Sequence, residues 1–165
     1  MKKLTSDVFK FSSVLVGVLA TLMIVFPALI LKDSAASLTG LNAAFGHEFA
    51  SFGSFVSGNI KFSLMTVIAY LLPLLGALVL LFTKKGYLIS TLAFTAAAIL
   101  LFLVPEFTVI TITVGGIENE IAVEWTYGLG LLFAASLSIV GVVIGLSRIY
   151  KSKKKKISLS LKCTL

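Results

Sequence analysis

Charge is scarce in this chain. Only 13% of its 165 residues are Asp, Glu, Lys or Arg, whereas a soluble domain carries about 25% to stay solvated. Hydrophobic residues make up 58% and the mean hydropathy is +1.08, so a soluble fold is excluded and a membrane protein is expected. The single cysteine, Cys163, rules out an internal disulfide and leaves the redox compartment unread. There is one histidine, His47. His47-Glu48 begins the HExxH pattern, but the second imidazole position is Ser51, so the zinc ligand pair on one helical face is missing. One histidine, one cysteine at the far end and scattered acids cannot assemble a nucleophile, a base and an orienting group. No enzyme and no cofactor are expected. The formal charge of +7 would suit nucleic acid only as a basic face on a soluble fold, so no nucleic-acid partner is expected either.

What the chain does have is long uncharged runs. A helix needs roughly 20 apolar residues to cross the ~30 Å hydrocarbon core, and four runs qualify: residues 11–31, 62–82, 86–104 (stopping at Pro105) and 126–147 (stopping before Arg148). Pro27 and Pro73 fall inside the first two, where the missing N–H predicts kinks. Every basic residue except Lys32 and Lys61 lies in the N-terminal segment, the 83–85 turn or the segment from Arg148 onward, while every acid except Asp7 lies between 32 and 61 or between 105 and 125. By the positive-inside rule this places both termini in the cytoplasm and loops 33–61 and 105–125 outside a plasma membrane. A rival reading takes Met1-Lys2-Lys3, the first apolar run and Ser34-Ala35-Ala36 as a cleavable signal peptide; the run is longer than the usual core of about 7 to 15 residues, so a retained span is preferred.

The spans contain no Asp, Glu, Lys, Arg or His, which are the usual marks of a proton relay or ion pathway. Small residues recur at four-residue spacing instead: Ser13, Gly17 and Thr21; Ala93 and Ala97; Gly130, Ala134 and Ser138; Gly141 and Gly145. Such stripes let helix backbones approach in lipid. They are expected to pack the bundle, the sharper alternative being that Gly141 and Gly145 face a second copy in a homo-oligomer.

The loops outside carry two patterns. Phe45, Phe49, Phe52 and Val56 fall at i, i+4, i+7 and i+11, predicting a short amphipathic segment at the outer interface. Residues 107–125, FTVITITVGGIENEIAVEW, alternate around Gly115-Gly116, predicting a β-hairpin with a two-residue turn. Pairing partners then sum to 231, with Ile110, Val114, Ile117 and Ile121 on one face and Thr111, Thr113, Glu118 and Glu120 on the other. An isolated ribbon is marginal in water, so its apolar face needs a cover, and Ile110, Val114, Ile117, Ile121, Phe45, Phe49 and Phe52 form the candidate outer binding face. Glu118, Glu120 and Glu124 could hold Ca²⁺ weakly, but a solvated polar face is the preferred reading. Trp125 fits an interfacial anchor. Beyond the fourth span, Arg148, Lys151, Lys153, Lys154, Lys155 and Lys156 form a basic tail attracted to lipid headgroups at roughly 1 kcal/mol per charge.

The expected fold class is therefore an all-α membrane protein: a four-transmembrane-helix bundle in residues 1–150, with an extracytoplasmic β-hairpin between helices 3 and 4, an amphipathic segment between helices 1 and 2, and a basic cytoplasmic tail in 151–165. In topology alone it resembles the claudin-like tetraspan proteins. The tryptophan and cysteine pair that mark their first outer loop do not occur between Lys32 and Lys61, and the strand pattern here is in the second loop. Small four-span multidrug transporters share the span number, but their membrane-embedded glutamate is absent. The function expected is a non-catalytic structural, assembly or partner-binding subunit acting through its outer loops, in contact with the lipid bilayer and a membrane-protein partner or second copy. The competing class is a channel or an accessory subunit of a transporter, working as an oligomer.

Overall fold

The computed structural model describes residues 2–32, 36–52, 56–83, 86–121 and 123–163, with side chains described for 8–32, 36–49, 57–83, 86–121 and 123–151. Four helices are long and apolar enough to cross a membrane: α1 (Lys2–Leu22), α3 (Leu64–Phe82), α4 (Tyr87–Phe107) and α5 (Leu129–Cys163). A two-turn helix, α2 (Gly40–Phe45), lies between α1 and α3. Each long helix packs on two others, in the ring α1–α3–α4–α5, with α1 closing against α5. Helix starts follow local chemistry: Ser63 caps α3 by accepting from the Thr66 N–H at 3.3 Å, and Thr39 caps α2 by accepting from Asn42 at 3.2 Å.

Close approach in the bundle is made by small residues. A Cβ on Gly17 would lie 2.7 Å from the Pro73 carbonyl oxygen, one on Gly76 would meet Ala93 at 3.0 Å, and one on Gly141 would strike the Phe94 ring at 2.5 Å. Gly145 abuts Thr91, Gly130 lies against Phe26 and Pro27, and Ala134 and Ser138 are fully buried. All of these contacts are within one chain.

At the end away from the termini stand two small sheets. Among the described residues there are seven strands: β1 (Pro27–Leu31), β2 (Ser37–Thr39), β3 (His47–Phe52), β4 (Val56–Ile60), β5 (Ile110–Val114), β6 (Ile117–Ile121) and β7 (Trp125–Tyr127). One sheet runs β2-β1-β7 and the other β3-β4-β5-β6, all neighbours antiparallel. The hairpin has the register read from its alternation: Ile110↔Ile121, Thr111↔Glu120, Ile112↔Asn119, Thr113↔Glu118 and Val114↔Ile117. Gly115 and Gly116 have φ of +60° and +85°, the two left-handed residues that a turn matching strand twist needs. The further pairing expected at Ala122 lies outside the described residues.

Three expectations are corrected. The first apolar run is not one helix to Leu31: α1 ends at Leu22, a 3-10 turn spans Met23–Val25, and 27–31 is strand β1. Pro27 terminates the helix rather than kinking it. It has no N–H to donate and forces Phe26 out of the helical region, to φ −84° and ψ 164°, and as the first residue of a strand it costs no ladder bond. The amphipathic segment over 45–56 is not a helix but the hairpin β3–β4. The helix there stops at Phe45, where Gly46 takes φ +84° as C-cap, and the backbone beyond is satisfied by pairing of β3 with β4 and of β4 with β5. The fourth run begins as strand β7, with α5 starting at Leu129, and the helix continues through the basic stretch to Cys163. An all-α fold with one hairpin thus understates the β content. A smaller difference is at Pro105, where α4 runs on to Phe107; Thr108 helps close that end, its hydroxyl donating to the Val104 carbonyl at 3.0 Å.

A candidate binding surface between two sheets

Alternation along each strand gives the four-stranded sheet one apolar and one polar face. The apolar face carries Ile60 and Ile110 in one cross-strand row, then Gly58 and Ile112, then Val114 and Ile117 toward the turn. Gly58 has no side chain there, and Phe49, beside the bulge between Glu48 and Ala50, sets its ring over the vacancy, 2.8 Å from where a Cβ would stand. The polar face carries Asn59, Thr111 and Glu120, with Ser57, Thr113 and Glu118 in the next row.

The base of the apolar face is covered. Ile60 and Ile110 are buried in one cluster with Leu29, Leu38, Tyr70, Leu101, Val104 and Leu131, so the bundle core continues upward into the cap. Toward the turn it is open: Val114 is 50% exposed and Ile117 67%, with Ile121 at 41% on the edge strand. Between the covered base and the three-stranded sheet lies a groove of about 190 Å³, lined by Leu31, Ala36, Ser37 and Leu38 on one side, His47, Phe49, Ile60 and Ile110 on the other, with Asn42 and Trp125. The Trp125 indole N–H donates to the Thr108 carbonyl at 2.9 Å, which ties β7 to the end of α4.

The residues singled out from sequence are distributed across this cap. Ile110 is in the floor of the groove, Phe49 in its wall, and Val114, Ile117 and Ile121 on the open face. Phe45 stands apart, exposed and tilted against Phe62 with ring centres 6.3 Å apart. The Phe52 side chain lies outside the described residues. Sequence reasoning missed Leu31, Leu38, Asn42 and Ile60, and gave Trp125 and His47 no place in a site. The one hint for Leu31 was Pro27, which disfavours continuing the helix of α1 past Phe26; nothing in the sequence marked Leu38, Asn42 or Ile60.

The acids are engaged by lysines. Lys61 reaches Glu118 at 3.1 Å and Glu120 at 3.4 Å, and Lys32 pairs with Glu124. Hydrogen bonds to Glu118 and then Glu120 hold the Lys61 ammonium above its ordinary pKa of 10.5. No group of three or more His, Cys, Asp or Glu side chains placed to hold a metal ion occurs among the described residues.

At the opposite end the Arg148 guanidinium is stacked between two rings, 5.1 Å from the centre of Phe9 and 5.0 Å from that of Tyr87, and donates to the Tyr87 hydroxyl at 3.0 Å; Lys151 lies 4.8 Å over Phe9. These cation–π contacts join the ends of α1, α4 and α5. The side chains of Lys153 to Lys156 lie outside the described residues. No family model, curated protein or solved structure matches this chain.

Proposed function

We propose that this is a multi-pass protein of a plasma membrane, both termini cytoplasmic and the two sheets outside, that acts without catalysis as a partner-binding or assembly subunit. The observation that carries the reading is the uncovered apolar face at Val114, Ile117 and Ile121, placed by charge distribution on the side of the membrane where the acids are. An exposed apolar patch set among polar residues marks an interaction surface. The spans offer little to a translocated solute: the hydroxyls of Ser13, Thr91, Thr95 and Ser138 are spent on carbonyls of their own helix, at 2.6 to 3.0 Å.

The partner favoured is another membrane protein rather than a second copy joined through the free edge. Across the two-residue turn Val114 and Ile117 exchange both backbone bonds, so β6 turns the N–H and C=O groups of Ile117, Asn119 and Ile121 toward β5 and leaves those of Glu118 and Glu120 at the edge. The antiparallel pairings that overlap two such edges most, those centred on residues 118 to 120, set Glu against Glu, which is destabilising. A photo-crosslinking residue placed at Ile117 in intact membranes is expected to yield a discrete adduct with another protein that the same residue at Glu118, on the opposite face, does not. Absence of an adduct at 117, or equal adducts at both positions, would remove the reading.

A further inference from the structure

The groove differs from the open tip of the sheet in being concave and in having polar residues in an otherwise apolar lining. Its walls are apolar, yet the Asn42 carboxamide and the His47 imidazole adjoin it without a hydrogen bond among the described residues. At about 190 Å³ it falls below the roughly 300–1,000 Å³ of pockets for drug-sized ligands, which excludes a nucleotide or a flavin and suits a length of one unbranched chain. Ile60 and Ile110 in its lining stand four residues before α3 begins and three after α4 ends, two of the helices long and apolar enough to cross a membrane. Gly46, between Asn42 and His47, packs on the backbone of residues 60–62, 2.6 Å from the Ile60 carbonyl oxygen at the position of a Cβ, and the exposed rings of Phe45 and Phe62 pair directly beside it.

We propose that the groove holds one acyl chain of a bilayer phospholipid, with the ester region bound by Asn42 and His47; this rests on the membrane reading above. Charge argues for the ester over a free fatty acid. The cap carries Glu48, Glu106, Glu118, Glu120 and Glu124 against Lys32 and Lys61, and Glu48 adjoins His47, so a carboxylate head would enter a negative field whereas a neutral ester would not.

Trp125, the only tryptophan, lines the groove and reports on it. The full chain is reconstituted in phosphatidylcholine vesicles containing a small fraction of chain-brominated phosphatidylcholine, and quenching of Trp125 is compared with that in Ala36→Phe, which fills the groove from its exposed rim and leaves the lipid around the bundle unchanged. Most of the quenching is expected to be lost in the variant, and a chain-brominated fatty acid at the same fraction is expected to quench wild type less. Equal quenching in wild type and a variant of unchanged helicity would mean contact with surrounding lipid only, and would overturn the groove while sparing the membrane reading. Stronger quenching by the fatty acid would overturn the phospholipid. Protein left behind when the vesicles float would overturn both. Should Ala36→Phe fail to fold, native mass spectrometry of wild type in mild detergent decides: one phospholipid retained per chain supports the proposal, and a bare chain overturns it.

Discussion

The bundle and the hairpin turn at the tip of the cap use glycine for opposite purposes. In the bundle, Gly17, Gly76 and Gly141 are places where a neighbour occupies the space of a side chain, a carbonyl in one case and Ala93 or Phe94 in the others. In the cap, Gly115 and Gly116 touch nothing within 4 Å of a Cβ, and only their positive φ matters. Contact specifies the bundle positions and conformation the hairpin turn, while Gly46 and Gly58 elsewhere in the cap are again places of close contact. Substitutions should therefore hurt for different reasons and by different amounts.

The largest effect is expected at Gly141→Leu. The Phe94 ring it would strike is 1% exposed and has no room to move, so overpacking should cost about 1–3 kcal/mol or more, read as a lower midpoint of unfolding in mixed detergent micelles; an unchanged midpoint would show that α4 and α5 separate more easily than their packing implies. Next comes Gly116→Ala, where the left-handed backbone costs an L-residue roughly 1–2 kcal/mol. That loss should stay local, seen as faster amide exchange at Ile117 and Asn119 with the micelle midpoint unmoved. Smaller still is Ile117→Ser, on the open face, expected within about 0.5 kcal/mol of wild type while abolishing any adduct formed from that face. A fall in stability with Ile117→Ser would mean the face is covered after all.

The smallest effect concerns Lys61. Its pKa is raised in the folded chain by Glu118 and Glu120, so whatever it adds to cap stability is complete below its ordinary pKa of 10.5 and fades as pH rises through the raised value. The difference in hairpin exchange between wild type and Lys61→Met should be present at neutral pH and vanish at strongly alkaline pH. A difference that persisted there would point to the lysine's methylenes rather than its charge.

Legibility from sequence followed the same division. The hairpin register was readable because alternation and a Gly-Gly turn both constrain it, and a slip by one residue would turn every isoleucine to the polar side. The four long helices were readable from length and hydropathy. Strand β1 was not, because Pro-Ala-Leu-Ile-Leu is apolar throughout, follows a helix without a polar break, and a short buried run has no period to reveal its type. At 45–52 the helical spacing of the phenylalanines was interrupted by Gly46, which ends α2, and the segment beyond pairs with β4, whose other edge is in turn taken by the distant strand β5. The groove followed from neither pattern, since it exists only where two sheets built from distant segments face each other.

The strands bear on how the bundle can move. Strand β1 follows α1 and β7 leads into α5, and the two strands are paired at Leu29↔Tyr127, Ile30↔Thr126 and Leu31↔Trp125. Likewise β4 leads into α3 and β5 follows α4, paired from Val56↔Val114 to Ile60↔Ile110. Each ladder is thus a staple across one pair of antiparallel helices. Sliding α1 along α5, or α3 along α4, would break a row of backbone hydrogen bonds, while the two pairs are held to each other by side-chain contacts: Trp125 on the Thr108 carbonyl, Thr21 on the Tyr70 carbonyl and Gly141 against Phe94. Each ladder therefore fixes the relative height of the two helices it joins, and the groove lies where the sheet anchored on one helix pair meets the sheet anchored on the other.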